Sequence, residues 1–121
     1  MRIIRKSEQT TVNRSGGNRE VRSIFSEPVH LCDWLVVTHS QRQIKDVAHV
    51  AVGFHSHPSA LELILFQKSR SLDINGVRHD FMPEDAIILE SDDIHGAEDL
   101  REHDCICILL GKGKPQKMSL E

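Results

Sequence analysis

The residues best suited to chemistry are His55, His57, Glu62 and His95. In an extended strand alternate side chains share a face, so His55-Ser56-His57 directs two imidazoles to one side and Ser56 to the other. Glu62 follows five residues after His57, across a turn at Pro58, where its carboxylate can fold back beside the two rings. His95 sits in Asp92-Asp93-Ile94-His95-Gly96 after a further strand and a polar turn, and antiparallel folding can return it to the same cluster. Three neutral imidazoles with one carboxylate form a mixed nitrogen and oxygen donor set. It suits one divalent transition metal ion (Fe, Mn, Co, Ni, Cu or Zn) better than Mg or Ca, without selecting among the first six. Four protein ligands around a six-coordinate ion leave two positions for water, O2 or a chelating substrate, which is what Lewis-acid or oxygen chemistry requires.

Other residues carry weaker signals. His49 shares strand parity with His55 and could serve as acid, base or supporting donor, although a structural histidine is the simpler reading. His79 follows the Asn75-Gly76 turn, and parity leaves it open to either the interior or solvent. Cys105 and Cys107 share one face of the last strand; core packing is favoured over a nucleophilic or redox role because a free cysteine behaves as a small apolar residue. Trp34 and Phe66 read as core or pocket wall. Arg42, Lys45, Arg70 and Arg78 could grip a carboxylate or phosphate, against the plainer reading of solvated charges.

The elements that must position these groups are strands. Runs rich in β-branched residues cover 21–25, 31–38, 47–57, 62–66, 71–74, 77–81, 86–89 and 105–110, and no segment shows a sustained helical period. Asn75-Gly76 fits a two-residue type I′ hairpin turn. Met82-Pro83-Glu84-Asp85 and His57-Pro58-Ser59-Ala60 read as two more turns. Seven or eight short antiparallel strands with regular turns indicate an all-β jelly roll or related barrel.

The 121 residues match one domain. The formal charge of −3 gives no strong positive field, so a nucleic-acid partner is not expected. No apolar run reaches the length of a membrane helix, and three cysteines without a CxxC pair do not form a secreted disulfide framework, so a cytoplasmic protein with reduced thiols is expected. Charge is uneven: residues 1–22 hold six Lys/Arg against two acids. Residues 1–20 thus read as a basic N-terminal arm, set off by the turn-rich Asn13-Arg14-Ser15-Gly16-Gly17-Asn18, before a barrel at 21–121. The arm could pair with an acidic body, its own or a neighbour's, or remain a solvated terminus. Edge strands and the arm together make a homodimer the economical expectation.

Gly53-Phe54-His55-Ser56-His57-Pro58-Ser59-Ala60-Leu61-Glu62 resembles the first motif of the cupin superfamily, an HxH followed by a nearby Glu. Met82-Pro83-Glu84-Asp85, Ile87-Ile88-Leu89 and His95 resemble the second, in which a proline turn and an Asp precede a strand and the last metal-binding His. The resemblance spans roughly residues 47–110. It differs in having Gln67-Lys68-Ser69-Arg70 where the family places a Gly, and in lacking the Gly of the family's Pro-x-Gly-Asp turn. It implies a small metal-binding jelly-roll barrel, often dimeric, with His55, His57, Glu62 and His95 as ligands. Its expected function is that of a metal-dependent isomerase, lyase or dioxygenase acting on a small oxygen-rich molecule such as a sugar acid, keto acid or enediol. The alternative is a non-catalytic module that binds or senses a small ligand.

Overall fold

The computed structural model describes residues 1–12, 21–25, 32–42, 52–97 and 102–114. Eleven strands are present among these: β1 (Arg2–Ile4), β2 (Thr10–Val12), β3 (Val21–Ser23), β4 (Trp34–Arg42), β5 (Val52–His55), β6 (Ala60–Phe66), β7 (Arg70–Ile74), β8 (Val77–Phe81), β9 (Ala86–Leu89), β10 (His95–Ala97) and β11 (His103–Gly111). A single 3₁₀ turn, Lys6–Glu8, follows β1. Two antiparallel sheets form the barrel, one ordered β1-β9-β6-β11-β4 and the other β5-β10-β7-β8, with β2 and β3 as a separate ribbon. This is the jelly-roll barrel expected from the strand count.

Binary patterning explains the layers. β6 alternates strictly, with Ala60, Glu62, Ile64 and Phe66 buried and Leu61, Leu63 and Leu65 half-buried on the other face. β9 is buried along its whole length, as a central strand covered on both faces should be. The core draws Ile64, Phe66, Ile87, Leu89 and Cys105 from one sheet and Leu72, Ile74 and Phe81 from the other. Phe66 and Phe81 stack across the two sheets, their centroids 4.3 Å apart, in a contact that adds to the area both rings remove from water.

The turns follow their residue types. Asn75 and Gly76 take φ of 50° and 82°, both positive as a type I′ turn requires, and join β7 to β8. Glu84, in the turn where the resembled motif carries glycine, also has a positive φ of 73°. That conformation costs a non-glycine residue about 1 kcal/mol or more. The turn is held by the Glu84 N–H donating to the Phe66 carbonyl at 2.6 Å and by Arg22 and Lys6 paired with the Glu84 carboxylate. At the other end of the larger sheet, Gly111 faces Trp34 across β11 and β4, and a Cβ on Gly111 would lie 1.9 Å from Trp34 Cε2. Only glycine lets the indole lie against that strand.

The leading segment is part of this architecture. Arg2–Ile4 pairs with β9 as the outermost strand of the larger sheet. The basic residues just after it meet the acidic turn between β8 and β9: Arg5 and the Lys6 N–H both bond the Asp85 carboxylate at 2.9 Å, as does the Met82 N–H. Of the two possibilities for the basic leader, pairing with the chain's own acidic body is the one realised. The turn-rich stretch 13–18 lies outside the described residues.

Burial would raise the Asp85 carboxyl, but the Met82 and Lys6 N–H groups and the Arg5 guanidinium outweigh it and hold it below its ordinary value of 3.8. A depressed folded-state value means that this group stabilises the fold above pH 3.8 and that the contribution is lost as pH falls through the folded-state value. Asp85→Asn is therefore expected to lower the melting temperature at pH 7 and to flatten the fall in stability on acidification. Equal melting temperatures for both proteins from pH 7 to pH 3 would contradict this.

Candidate metal centre

Three of the four expected ligands are brought together. His57, Glu62 and His95 each offer a donor atom, and these lie within 4.8 Å of one another. Glu62 comes from the middle of the larger sheet, where its row on β6 pairs with Leu89 of β9 and Leu109 of β11. His95 opens β10 in the smaller sheet, so the cluster bridges the two layers. His57 was expected inside a strand running from 47 to 57, but β5 ends at His55, and His57 instead precedes the Pro58-Ser59 turn. There its carbonyl accepts from the Ala60 N–H at 3.2 Å, which returns the chain into β6 and places Glu62 beside the ring. His55 closes β5 with its Cα opposite that of His95; its side chain lies outside the described residues, as does His49.

The distances suit a common ion. His95 Nε2 lies 3.1 Å from Glu62 Oε1, and His57 Nε2 lies 3.5 Å from Glu62 Oε2. With metal–ligand bonds of about 2.1 Å, neighbouring donors of an octahedral or tetrahedral centre stand about 3.0 to 3.4 Å apart. The two rings are 5.4 Å apart between centroids and inclined by 40°.

Protonation sharpens the point. His95 Nδ1 bonds the Asp93 carbonyl at 3.4 Å. A carbonyl only accepts, so this contact favours the tautomer with the proton on Nδ1, which leaves Nε2 facing Glu62. Glu62 Oε1 is buried and accepts no hydrogen bond from the described residues. A ring nitrogen and a buried carboxylate oxygen 3.1 Å apart are placed to share a cation, either a proton or a metal ion. A backbone carbonyl holding the distal imidazole nitrogen is also the usual support for a histidine that ligates metal. Both the donor set and its orphaned oxygen therefore fit a metal ion.

The loop that delivers His95 is clamped by residues that the sequence had marked only as a turn. Asn75 donates through Nδ2 to Asp93 Oδ1 at 2.8 Å and accepts the Ile94 N–H on Oδ1 at 2.9 Å, while its own N–H reaches the Ile94 carbonyl at 2.7 Å. Asp93 also accepts the Glu90 N–H and the Met1 ammonium, each at 2.8 Å. Burial opposes this charge, but the ammonium, the Glu90 N–H and Asn75 together bring the Asp93 carboxyl down to about 2. Nothing in residue type alone announced the clamp, because it joins turns eighteen residues apart.

The remaining candidates are dispersed. His79 pairs with buried Leu72 across β7 and β8 and is half-buried. Arg78 is exposed beside Asp80. Phe66 is a core residue, as expected. Trp34 is half-buried at the barrel wall, and its indole Nε1 is buried without an acceptor. Arg70 points instead at Cys105. The side chain of Arg42 and the whole of Lys45 lie outside the described residues.

Asn75→Gly keeps the positive-φ turn while deleting both side-chain bonds of the clamp. It should cost about 2 kcal/mol, given roughly 1 kcal/mol for a neutral bond and somewhat more for one to a carboxylate. Denaturant unfolding measures this, and a loss below about 0.5 kcal/mol would show that the clamp does not hold the His95 loop.

No family model and no curated protein matches the sequence. Among solved structures, KdgF from Halomonas sp. is 15% identical and superposes with a TM-score of 0.54 over 89% of this chain and 93% of its own. A cupin protein from Bacteroides fragilis, also 15% identical, aligns over 71% of each chain with a TM-score of 0.48. No helix among the described residues is long and apolar enough to cross a membrane. By its two facing antiparallel sheets and their connections, the chain is a jelly-roll barrel of the cupin fold.

Proposed function

We propose that this protein binds one divalent transition-metal ion through His55, His57, Glu62 and His95 and presents it to a small oxygen-rich molecule such as a sugar acid, keto acid or enediol, for isomerase, lyase or dioxygenase chemistry. The observation that carries the reading is the convergence of His57, Glu62 and His95, with Glu62 Oε1 buried and unbonded opposite a ring nitrogen. The register of His55 opposite His95 supports it as the fourth donor. When bound, the ion would act as a Lewis acid that polarises a carbonyl or hydroxyl oxygen. Glu62 supplies the one formal negative charge of the ligand set, so a divalent centre keeps a net positive charge that favours anionic ligands. Glu62 and His95, with side chains 8% and 7% exposed, exclude water from the inner side. His57, 22% exposed, faces the approach to the site.

Metal analysis of protein purified without a histidine tag is expected to find about one ion per chain. His55→Ala with His57→Ala should reduce occupancy at least tenfold while the circular dichroism of the barrel is retained. Full occupancy in that double variant would refute the ligand assignment. Turnover of a carboxylated sugar or diketone that is lost in His95→Ala supports the enzyme, whereas tight binding without chemical change supports the binding-module alternative.

We propose also that the protein is a homodimer. Among the described residues the nine-residue strand β4 is the edge of its sheet; it carries no Pro or Lys to blunt that edge and exposes Leu35 and Val37 at 57% and 58%. Sedimentation equilibrium should give about twice the chain mass of 13.7 kDa, falling to the single-chain mass in Leu35→Lys; a wild-type monomer at tens of micromolar would exclude the dimer.

A further inference from the structure

Outside the metal centre, the barrel holds a second cluster of reactive groups. Cys105 and Cys107 lie on the same face of β11, with their sulfurs 4.0 Å apart. From β7 of the facing sheet, Arg70 Nη1 donates to Cys105 Sγ at 3.6 Å. Among the described residues no carboxylate pairs with Arg70, and this thiol is its hydrogen-bond partner. The group this half-buried guanidinium donates to is the Cys105 sulfur, and a positive charge beside a thiol favours its thiolate form. The surroundings agree. The hydrogen bond with Cys107, and then the charge and hydrogen bond of Arg70, outweigh burial and bring the Cys105 thiol down to about 7, although Glu62 opposes them. Cys107 is pushed up by the same contact, in which either sulfur can donate.

We propose that Cys105 is a redox modification site, a thiolate that reacts with hydrogen peroxide, with Arg70 as its charge partner and Cys107 as its hydrogen-bond partner. In the reaction the Cys105 sulfur attacks one peroxide oxygen; an S–O bond forms as the O–O bond breaks. Sulfur gives up two electrons and becomes a sulfenic acid, and the second oxygen leaves as hydroxide and takes a proton to become water. The positive charge of Arg70 beside the sulfur would also stabilise the negative charge that develops on the departing oxygen. Cys105 is 1% exposed and Cys107 beside it is half-buried, so a small oxidant rather than a bulky reagent is the one such a thiol would take. Exposed Cys32 is the built-in control.

The charge of Glu62 reaches both sulfurs, so the test is run with and without metal to keep the two readings distinguishable. The full-length protein, as purified and again with a chelator present, is exposed to hydrogen peroxide. It is then quenched with catalase, unfolded in dimedone and mapped by peptide mass spectrometry. Cys105 should acquire the sulfenic adduct at least tenfold faster than Cys32 in both samples, whereas a bulky aromatic disulfide should label Cys32 first. Arg70→Gln should slow the Cys105 reaction at least fivefold and leave Cys32 unchanged, and Arg70→Lys, which restores the charge, should recover most of the rate. Circular dichroism confirms that each variant is folded. Oxidation of Cys32 or Cys107 ahead of Cys105, reaction of Cys105 only when metal is bound, or equal rates in Arg70→Gln and the parent would each overturn the proposal.

Discussion

A carboxylate enclosed by apolar side chains is the constraint around which this barrel is organised. Glu62 occupies an inward position on β6 between Ala60 and Ile64, in a row otherwise filled by Leu89 and Leu109. Removing an ionised group from water costs several kcal/mol unless charge or hydrogen bonds replace what water supplied. Among the described residues no hydrogen bond reaches Glu62 Oε1. The protein offers instead two imidazole nitrogens, one from the turn before β6 and one from the opposite sheet. The fold therefore gathers a buried carboxylate and two ring nitrogens at one point, an arrangement that a shared cation would stabilise.

Holding those nitrogens in place is the task of structure that never touches the cluster. The type I′ turn at Asn75-Gly76 serves twice, reversing the chain between β7 and β8 and presenting the Asn75 amide to the loop before His95. At the opposite margin of the larger sheet, β1 completes the row beside β9, and Arg5, Lys6 and Arg22 lock the acidic turn at Glu84 and Asp85. Exposed ion pairs add little singly. Here they also hold Glu84 in a left-handed conformation that glycine would adopt without strain, so the charges substitute for a backbone preference. The glycine missing from the turn motif is thereby explained physically.

Much of this was legible in the residues. Alternation in Ala60–Phe66, the Asn75-Gly76 turn and the run Ala86–Leu89 marked strands whose periodicity is a local property, and three of the four expected ligands meet in space. Other features left no local trace. β1 and β10 are three residues each, too short to show a period, and gain their pairing from neighbours distant in sequence. Arg70 looked like any surface cation until β7 faced β11 and carried it to Cys105.

What the sequence determined by itself is the set of donor residues, the turns and the two-residue alternation, because spacing along a strand and the φ preferences of Asn and Gly act within a few residues. What only the tertiary structure decided is which of those groups meet: Glu62 with His57 and His95, Asn75 with Asp93, Arg70 with Cys105. Those meetings depend on register between strands far apart in the chain and on the packing of two sheets, and a shift of one residue would turn every such side chain to the opposite face.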